Sequence, residues 1–333
     1  PKLPLMNIQY ADFSVWQHQF LSGEVIKKQL KYWKDNLYGL KNLEIPTDKP
    51  RPLEQSFNGA SYNHKLEDSI LKKLKKTLMT ENVTTFTFLV ATLSTFLSLE
   101  FNHKDIIIGT PVANRRKHDF SNIIGMFLNT LPVRISINDN PSFRDLLYKV
   151  KNQLYDAYDN QDIPFENIVD HLNINRDLGR HPVFQIMFIY QKKEKEKIKL
   201  NGLEVSDYEF PHDDKAKFEI TFIIIETDNF LEIELNYSTS IYNRDTIQNI
   251  ATGYELMLKD LLEDINQRLS DICIYEREKQ INIQKWNGNQ QKFKSDNVLH
   301  KLFEKQALRN YDRVAVECNN NQLTYGAIYN RSN

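Results

Sequence analysis

The run from Asn82 to Leu99 contains no charged side chain, and it is the longest such run in the chain. A segment of this kind must be covered by protein or by lipid. Its seven serine and threonine residues make it too polar to span a bilayer. Phe86, Leu89, Val90, Leu93, Phe96 and Leu97 recur at helical spacing and would share one face, so the segment reads as a buried helix. Whatever else the chain forms has to pack around it.

The neighbouring sequence supplies the cover. An extended, proline-containing start precedes Ser22, which can cap a helix with Ile26, Leu30, Trp33 and Leu37 inward. Leu71, Leu74 and Leu78 make a short apolar stripe, and Lys72, Lys73, Lys75 and Lys76 read as its solvated side. Asp105 to Thr110 reads as a buried strand, because Ile106, Ile107 and Ile108 are β-branched and Gly109 ends the run. Pro111 then leads into the polar loop Asn114, Arg115, Arg116 and Lys117. Ser142 and Asp145 have capping-box spacing ahead of Phe143, Leu146, Leu147, Val150 and Leu154. Asp162 precedes Pro164 at another helix start and reads as a cap. A strand is expected over residues 182–190. A hairpin follows, residues 218–226 and 230–237, in whose second arm Leu231, Ile233, Leu235 and Tyr237 alternate with Glu232, Glu234 and Asn236. A helix is expected from about Arg244 to Leu262. Strands and helices alternate loosely, which predicts an α/β fold, an α+β sandwich with a mixed sheet flanked by helices.

Several function classes drop out. No two of the ten glycines lie within ten residues of each other, so there is no Walker loop, dinucleotide turn or nucleophile elbow. The closest histidines, His171 and His181, are ten residues apart, and Cys273 and Cys318 stand alone, so no metal site is expected. The 43 basic and 44 acidic side chains are mixed along the chain, which gives no electrostatic case for nucleic acid or an anionic membrane. Two isolated thiols point to a reducing, cytoplasmic compartment.

From about Gln280 the composition shifts to Asn, Gln and Lys, so residues 281–297 read as a linker. Val298, Leu299, Leu302 and Phe303 begin a new helix, and residues 314–318 read as a strand. Some forty residues make no normal core alone. The first residue is Pro1 and not methionine, and the expectation is an excerpt from a longer polypeptide that stops inside its second domain.

Four segments, in order, resemble the condensation domains of nonribosomal peptide synthetases. Tyr10-Ala11-Asp12-Phe13-Ser14-Val15-Trp16 is similar to the family's YxDFAVW. Residues 124–134, with Ile124, Gly125, Phe127, Asn129, Thr130, Leu131 and Arg134, are similar to IGxFVNTLxxR. Asn160-Gln161-Asp162-Ile163-Pro164-Phe165-Glu166 resembles NQDxPFE. Residues 176–183 resemble RDxSRNPL, with Gly179 in place of Ser and His181 in place of Asn. The resemblance covers residues 1 to about 285. His300 to Ala307, Val314 to Val316 and Leu323-Thr324-Tyr325 resemble the opening of an adenylation domain, although Gly326-Ala327-Ile328 departs from that family's usual ending.

The resemblance implies a chloramphenicol acetyltransferase-like lobe, over residues 1–280, of a two-lobed condensation domain. Residues 298–333 would be the truncated start of an adenylation domain. It implies amide bond formation between aminoacyl or peptidyl thioesters carried on the phosphopantetheine of carrier proteins, with no cofactor bound directly. The implied partners are those carriers, the N-terminal lobe and the adjacent adenylation domain. The family's HHxxxDG histidine motif is not in the chain, so no catalytic residue is assigned and the chain alone is expected to be inactive. An epimerisation or heterocyclisation domain of the same fold, or a noncatalytic carrier-docking module, are the alternatives. Candidate substrate contacts are Trp16, Pro111, Asn114, Arg115, Asn129 and Gln161. Arg176, Asp177 and Arg180 read as a structural ion-pair turn.

Overall fold

In the structure, a computed structural model, the described residues are 8–40, 43–172, 177–193, 202–203, 205, 214–272, 274, 298–319 and 321–332. Cys273, Arg176 and the expected linker lie outside them. Two units separate, Pro1–Glu276 and Arg277–Asn333. In the first, the elements run α1 (Tyr10–Phe20), α2 (Gly23–Asn36), β1 (Gly59–Lys65), α3 (Asp68–Glu81), α4 (Thr85–Phe101), β2 (Asp105–Val112), β3 (Asn129–Ser136), α5 (Phe143–Asp159), α6 (Phe165–Leu172), β4 (Ile186–Lys192), β5 (Ile220–Glu226), β6 (Leu231–Ser238) and α7 (Arg244–Glu263).

The uncharged segment is α4, and it is buried on every side from Thr87 to Leu97, not on one face alone. Its hydroxyls make this possible by satisfying themselves locally. Thr92, Ser94 and Thr95 donate to the carbonyls of Phe88, Val90 and Ala91, one turn back, at 3.0, 2.8 and 2.9 Å. Thr84 caps the start by accepting from Thr87 N, and left-handed Asn82 and Asn102 end α3 and α4.

The strands form one mixed sheet in the order β1-β6-β5-β4-β2-β3. β4 runs parallel to β2 and β5, and the remaining pairings are antiparallel. The hairpin keeps the expected register, Ile220 opposite Tyr237 and Glu226 opposite Leu231. Side chains alternate between two cores. Ile106, Ile108, Ile186 and Phe188 join the layer of α3, α4, α5 and α7, while Ile107 and Met187 face Trp33 and Leu37 of the α2 side with Ile168 and Val169 of α6.

Four local expectations are corrected. Residues 10–20 are helical, not extended, because Gln9 and Asp12 form a reciprocal capping box and Phe13 docks inward. Ser22 occupies the N-cap of α2 but donates to Gln19 O and does not cap it. Strand β2 continues through Pro111, which pairs with Thr130 of β3 beyond the register with β4. Strand β4 begins at Ile186, four residues later than expected. Gly109 needs its hydrogen side chain, since a Cβ there would lie 2.1 Å from the Phe184 ring.

The second unit contains helix Leu299–Arg309, an antiparallel pair Val314–Cys318 and Asn321–Thr324, and helix Tyr325–Ser332. Among the described residues no single helix is long and apolar enough to cross a membrane.

Candidate functional site

Strand β2 delivers its C-terminal end into a loop in which Asn114 adopts a left-handed conformation, φ 50°, a region Asn tolerates better than most residues. The turn aims the successive side chains Arg115, Arg116 and Lys117 at different neighbours. Arg115 donates to the carbonyls of Phe120 and Ile123, the latter at 2.8 Å, and lies 4.0 Å over the Phe127 ring. Arg116 reaches Asp162 at 3.3 Å, and the Lys117 ammonium sits 4.2 Å above Trp16.

Helix α1 packs on the same segment. Tyr10 rests on Gly125, where a Cβ would meet the ring at 2.1 Å, and its hydroxyl donates to Met126 O at 2.7 Å. Phe13 lies 5.0 and 4.3 Å from the Phe120 and Phe127 rings.

Asn129, at the start of β3, ties this segment to the one before α6. Its Nδ2 donates to Gln161 O and Ile163 O at 2.8 and 2.7 Å, and its Oδ1 accepts from Phe165 N at 3.0 Å and Thr130 N at 2.9 Å. Asn129 therefore caps α6 from across the chain. Asp162 does not: it accepts from Gln29 of α2 at 2.9 Å and pairs with Arg116, which replaces its expected capping role. Trp33 Nε1 donates to Asn160 O at 2.8 Å. Phe165 in turn stacks 5.5 Å from His181, whose ring also meets Phe184 and Phe218. The turn before it closes through Asp177 Oδ1, which accepts from Gly179 N at 2.9 Å, and Arg180 pairs with Glu44.

Two cavities flank the β2 loop. The larger, about 500 Å³, is bounded by Pro111, Asn114, Arg115 and Arg116 on one side and by Gln161, Tyr158, Ile189 and Tyr190 on another. The smaller, about 270 Å³, is walled by Phe13, Trp16, Phe20 and Phe120, with Asn114, Arg116, Lys117 and Asp162 completing it. Of the sequence candidates, the structure gathers Pro111, Asn114, Arg115 and Gln161 at the larger cavity and Trp16 with Asn114 at the smaller. Asn129 lines neither, because its amide is spent on backbone. Burial pushes the Tyr158 and Tyr190 phenols up to about 12, and Tyr190 donates to Glu226 Oε2 at 2.6 Å. Burial among the rings pulls His181 down to about 4, so it is neutral at pH 7. Among the described residues no group of three or more His, Cys, Asp or Glu could hold a metal ion.

Sequence reasoning missed Tyr158, Ile189 and Tyr190, which carry no local signal, and Phe20 and Phe120. Arg116 and Lys117 were in view as loop residues, but their partners Asp162 and Trp16 are distant in sequence.

The site is thus a shell of loops at the C-terminal end of β2, built by separated segments that hold one another by hydrogen bonds to backbone and ring contacts. The condensation-domain family model matches residues 1–283, and the chain belongs to that family. It is 33% identical over its full length to gramicidin S synthase 2 of Brevibacillus brevis and 34% identical over 98% of its length to surfactin synthase subunit 1 of Bacillus subtilis strain 168. It spans only 8% and 9% of those proteins. The X-domain from teicoplanin biosynthesis has the same fold, with TM-score 0.76 and 24% identity over 83% of this chain and 64% of that one. A four-domain nonribosomal peptide synthetase bound to AMP and glycine aligns at TM-score 0.69 and 21% identity over 90% of this chain and 24% of that one.

Proposed function

We propose that residues 1–280 form the C-terminal lobe of a condensation domain inside a larger synthetase. That domain joins aminoacyl or peptidyl groups presented as thioesters on the phosphopantetheine of carrier proteins, and residues 298–333 open an adjoining adenylation domain. The observation that carries this reading is that the first three family-like segments interlock beside the two cavities, Tyr10 on Gly125 and Met126 and Asn129 on residues 161–165, with the fourth packed onto the third through His181 and Phe165. In the reaction the amine nitrogen attacks the thioester carbonyl, the C–S bond breaks, and the thiol leaves with the proton the amine gives up. The described lining of the larger cavity has no group poised to take that proton near pH 7, since Tyr158 and Tyr190 stay protonated and a guanidinium has donors but no acceptor. The chain's part is to hold: Pro111, Asn114 and Gln161 shape the slot, the arginines and the Tyr158 phenol offer hydrogen-bond donors, and confinement of two tethered reactants supplies much of the rate. The histidine of HHxxxDG, on the partner lobe, completes the site. Cytoplasmic carriers are the expected partners.

The test is dipeptidyl-carrier formation by the complete synthetase, followed by intact-protein mass spectrometry with loaded donor and acceptor carriers. Product that disappears when the second histidine of HHxxxDG is replaced supports the reading. Retained carrier binding with no dipeptide replaces it with a docking module.

A further inference from the structure

The smaller cavity is not accounted for by packing alone. Phe13, Phe120, Ile123 and Phe127 form a hydrophobic cluster separate from both sheet cores, with Trp16 packed against it. Beside this cluster a cleft of about 270 Å³ opens between aromatic walls, with exposed Phe20 and Lys117 at its rim. Its outer wall is a stack, Trp16 on Phe20 at 4.9 Å and 16°, and Phe20 is 37% exposed. The volume lies below the roughly 300–1,000 Å³ of pockets that take whole ligands. It suits one side chain. Asn114 and Arg116 line both cavities, which places the smaller one directly beside the larger.

The charges at the wall are unequal. Arg116 is paired with Asp162, which also accepts from Gln29. Lys117 makes cation–π contacts with Trp16 and Phe120 and has no carboxylate within ion-pair distance among the described residues. A cationic side chain entering here meets two cations at the rim, Arg116 and the exposed Lys117, against the one carboxylate of Asp162, whereas an aromatic one gains edge and face contacts with the walls.

We propose that the smaller cavity is the side-chain pocket for a bulky apolar, best aromatic, aminoacyl group, and that Lys117 sets it against cationic side chains. This rests on the reading of the site as a condensation site.

The experiment loads Phe, Leu, Ala and Lys on each carrier of the complete synthetase in turn and reads condensation rates as ratios. On the carrier served by this pocket, Phe is expected to exceed Ala by about tenfold or more. Trp16→Ala and the milder Phe20→Ser are each expected to lower the Phe:Ala ratio several-fold, and Lys117→Gln to raise the Lys:Phe ratio. A ratio near one on both carriers, or ratios unmoved in all three folded variants, overturns the pocket. Isothermal titration of the same enzyme with the pantetheine amides of phenylalanine and alanine gives a readout free of turnover. Discrimination there, lost in Phe20→Ser, sustains the pocket even where no condensation occurs, an outcome that defeats the proposed function instead. Condensation without discrimination in either measurement defeats the pocket and leaves the proposed function standing.

Discussion

At the scale of single residues, the site depends on groups that touch no cavity. Asn129 serves two carbonyls and two amides, and no other residue type of its size offers two donors and an acceptor in that arrangement. Asn129→Ala is expected to destabilise the chain by about 2–4 kcal/mol, since buried backbone groups before and at α6 lose their partner. A shift of the urea midpoint at constant slope checks this, and an unchanged midpoint refutes it. His181 is the second case. Phe165, Phe184 and Phe218 surround its ring, while Gln185 Nε2 donates to its carbonyl, not to the imidazole. Its folded pKa, about 4, lies below the ordinary 6.5. The unfolded chain therefore binds the extra proton first. The contribution is complete above pH 6.5 and falls as the pH drops toward 4, by about 2 kcal/mol between pH 6.5 and pH 5. His181→Phe is expected to flatten that part of the stability profile, and a profile with the same slope in the variant counts against the assignment.

At the scale of elements, what was legible in the sequence was what obeys a local period. α5, α7 and the β5–β6 hairpin formed where their apolar spacing placed them, with Phe143 to Leu154, Ile247 to Leu261 and Leu231 to Tyr237 buried. β1 was not legible, because Ala60 and Tyr62 are its only half-buried apolar residues and an edge strand needs no more. α1 was hidden for a related reason: its rings at 13 and 16 pack against a loop more than a hundred residues away. The candidate site was legible through family-like segments, not through chemistry, and the bonds of Asn129 to residues 161–165 have no trace in local pattern. α4 shows how far period alone can mislead, since its polar residues are as buried as its leucines. The physical reason gives a prediction. Thr92 keeps its hydroxyl bonded to Phe88 O within the helix, so Thr92→Val removes donor and need together and is expected to change stability by less than about 1 kcal/mol. Leu93→Ala, one residue on, opens a cavity and is expected to cost about 2–5 kcal/mol. Chemical denaturation of the two variants side by side decides whether the helix hydroxyls are self-contained. A Thr92→Val loss as large as that of Leu93→Ala shows they are not.

At the scale of the molecule, the two units differ in how much each buries. All six strands of the mixed sheet, both sheet cores and the aromatic cluster lie within Pro1–Glu276. In the described part of the second unit, Leu299, Leu308 and Tyr311 are 87%, 66% and 44% exposed, and Ala307 is the one buried apolar side chain. A piece this small buries too little apolar surface to fold cooperatively by itself. Stability of the whole chain is therefore expected to reside in the first unit. A chain ending at Glu276 should unfold in one cooperative transition with its midpoint within about 2 °C of that of the 333-residue chain, because a change of 1 kcal/mol moves the midpoint of a domain this large by about 2–4 °C or less. Thermal unfolding followed by circular dichroism at 222 nm and by tyrosine absorbance checks it. Loss of cooperativity, or a midpoint lowered well beyond that window, means that residues 277–333 complete the core of the first unit and that the division at Glu276 is not one of stability.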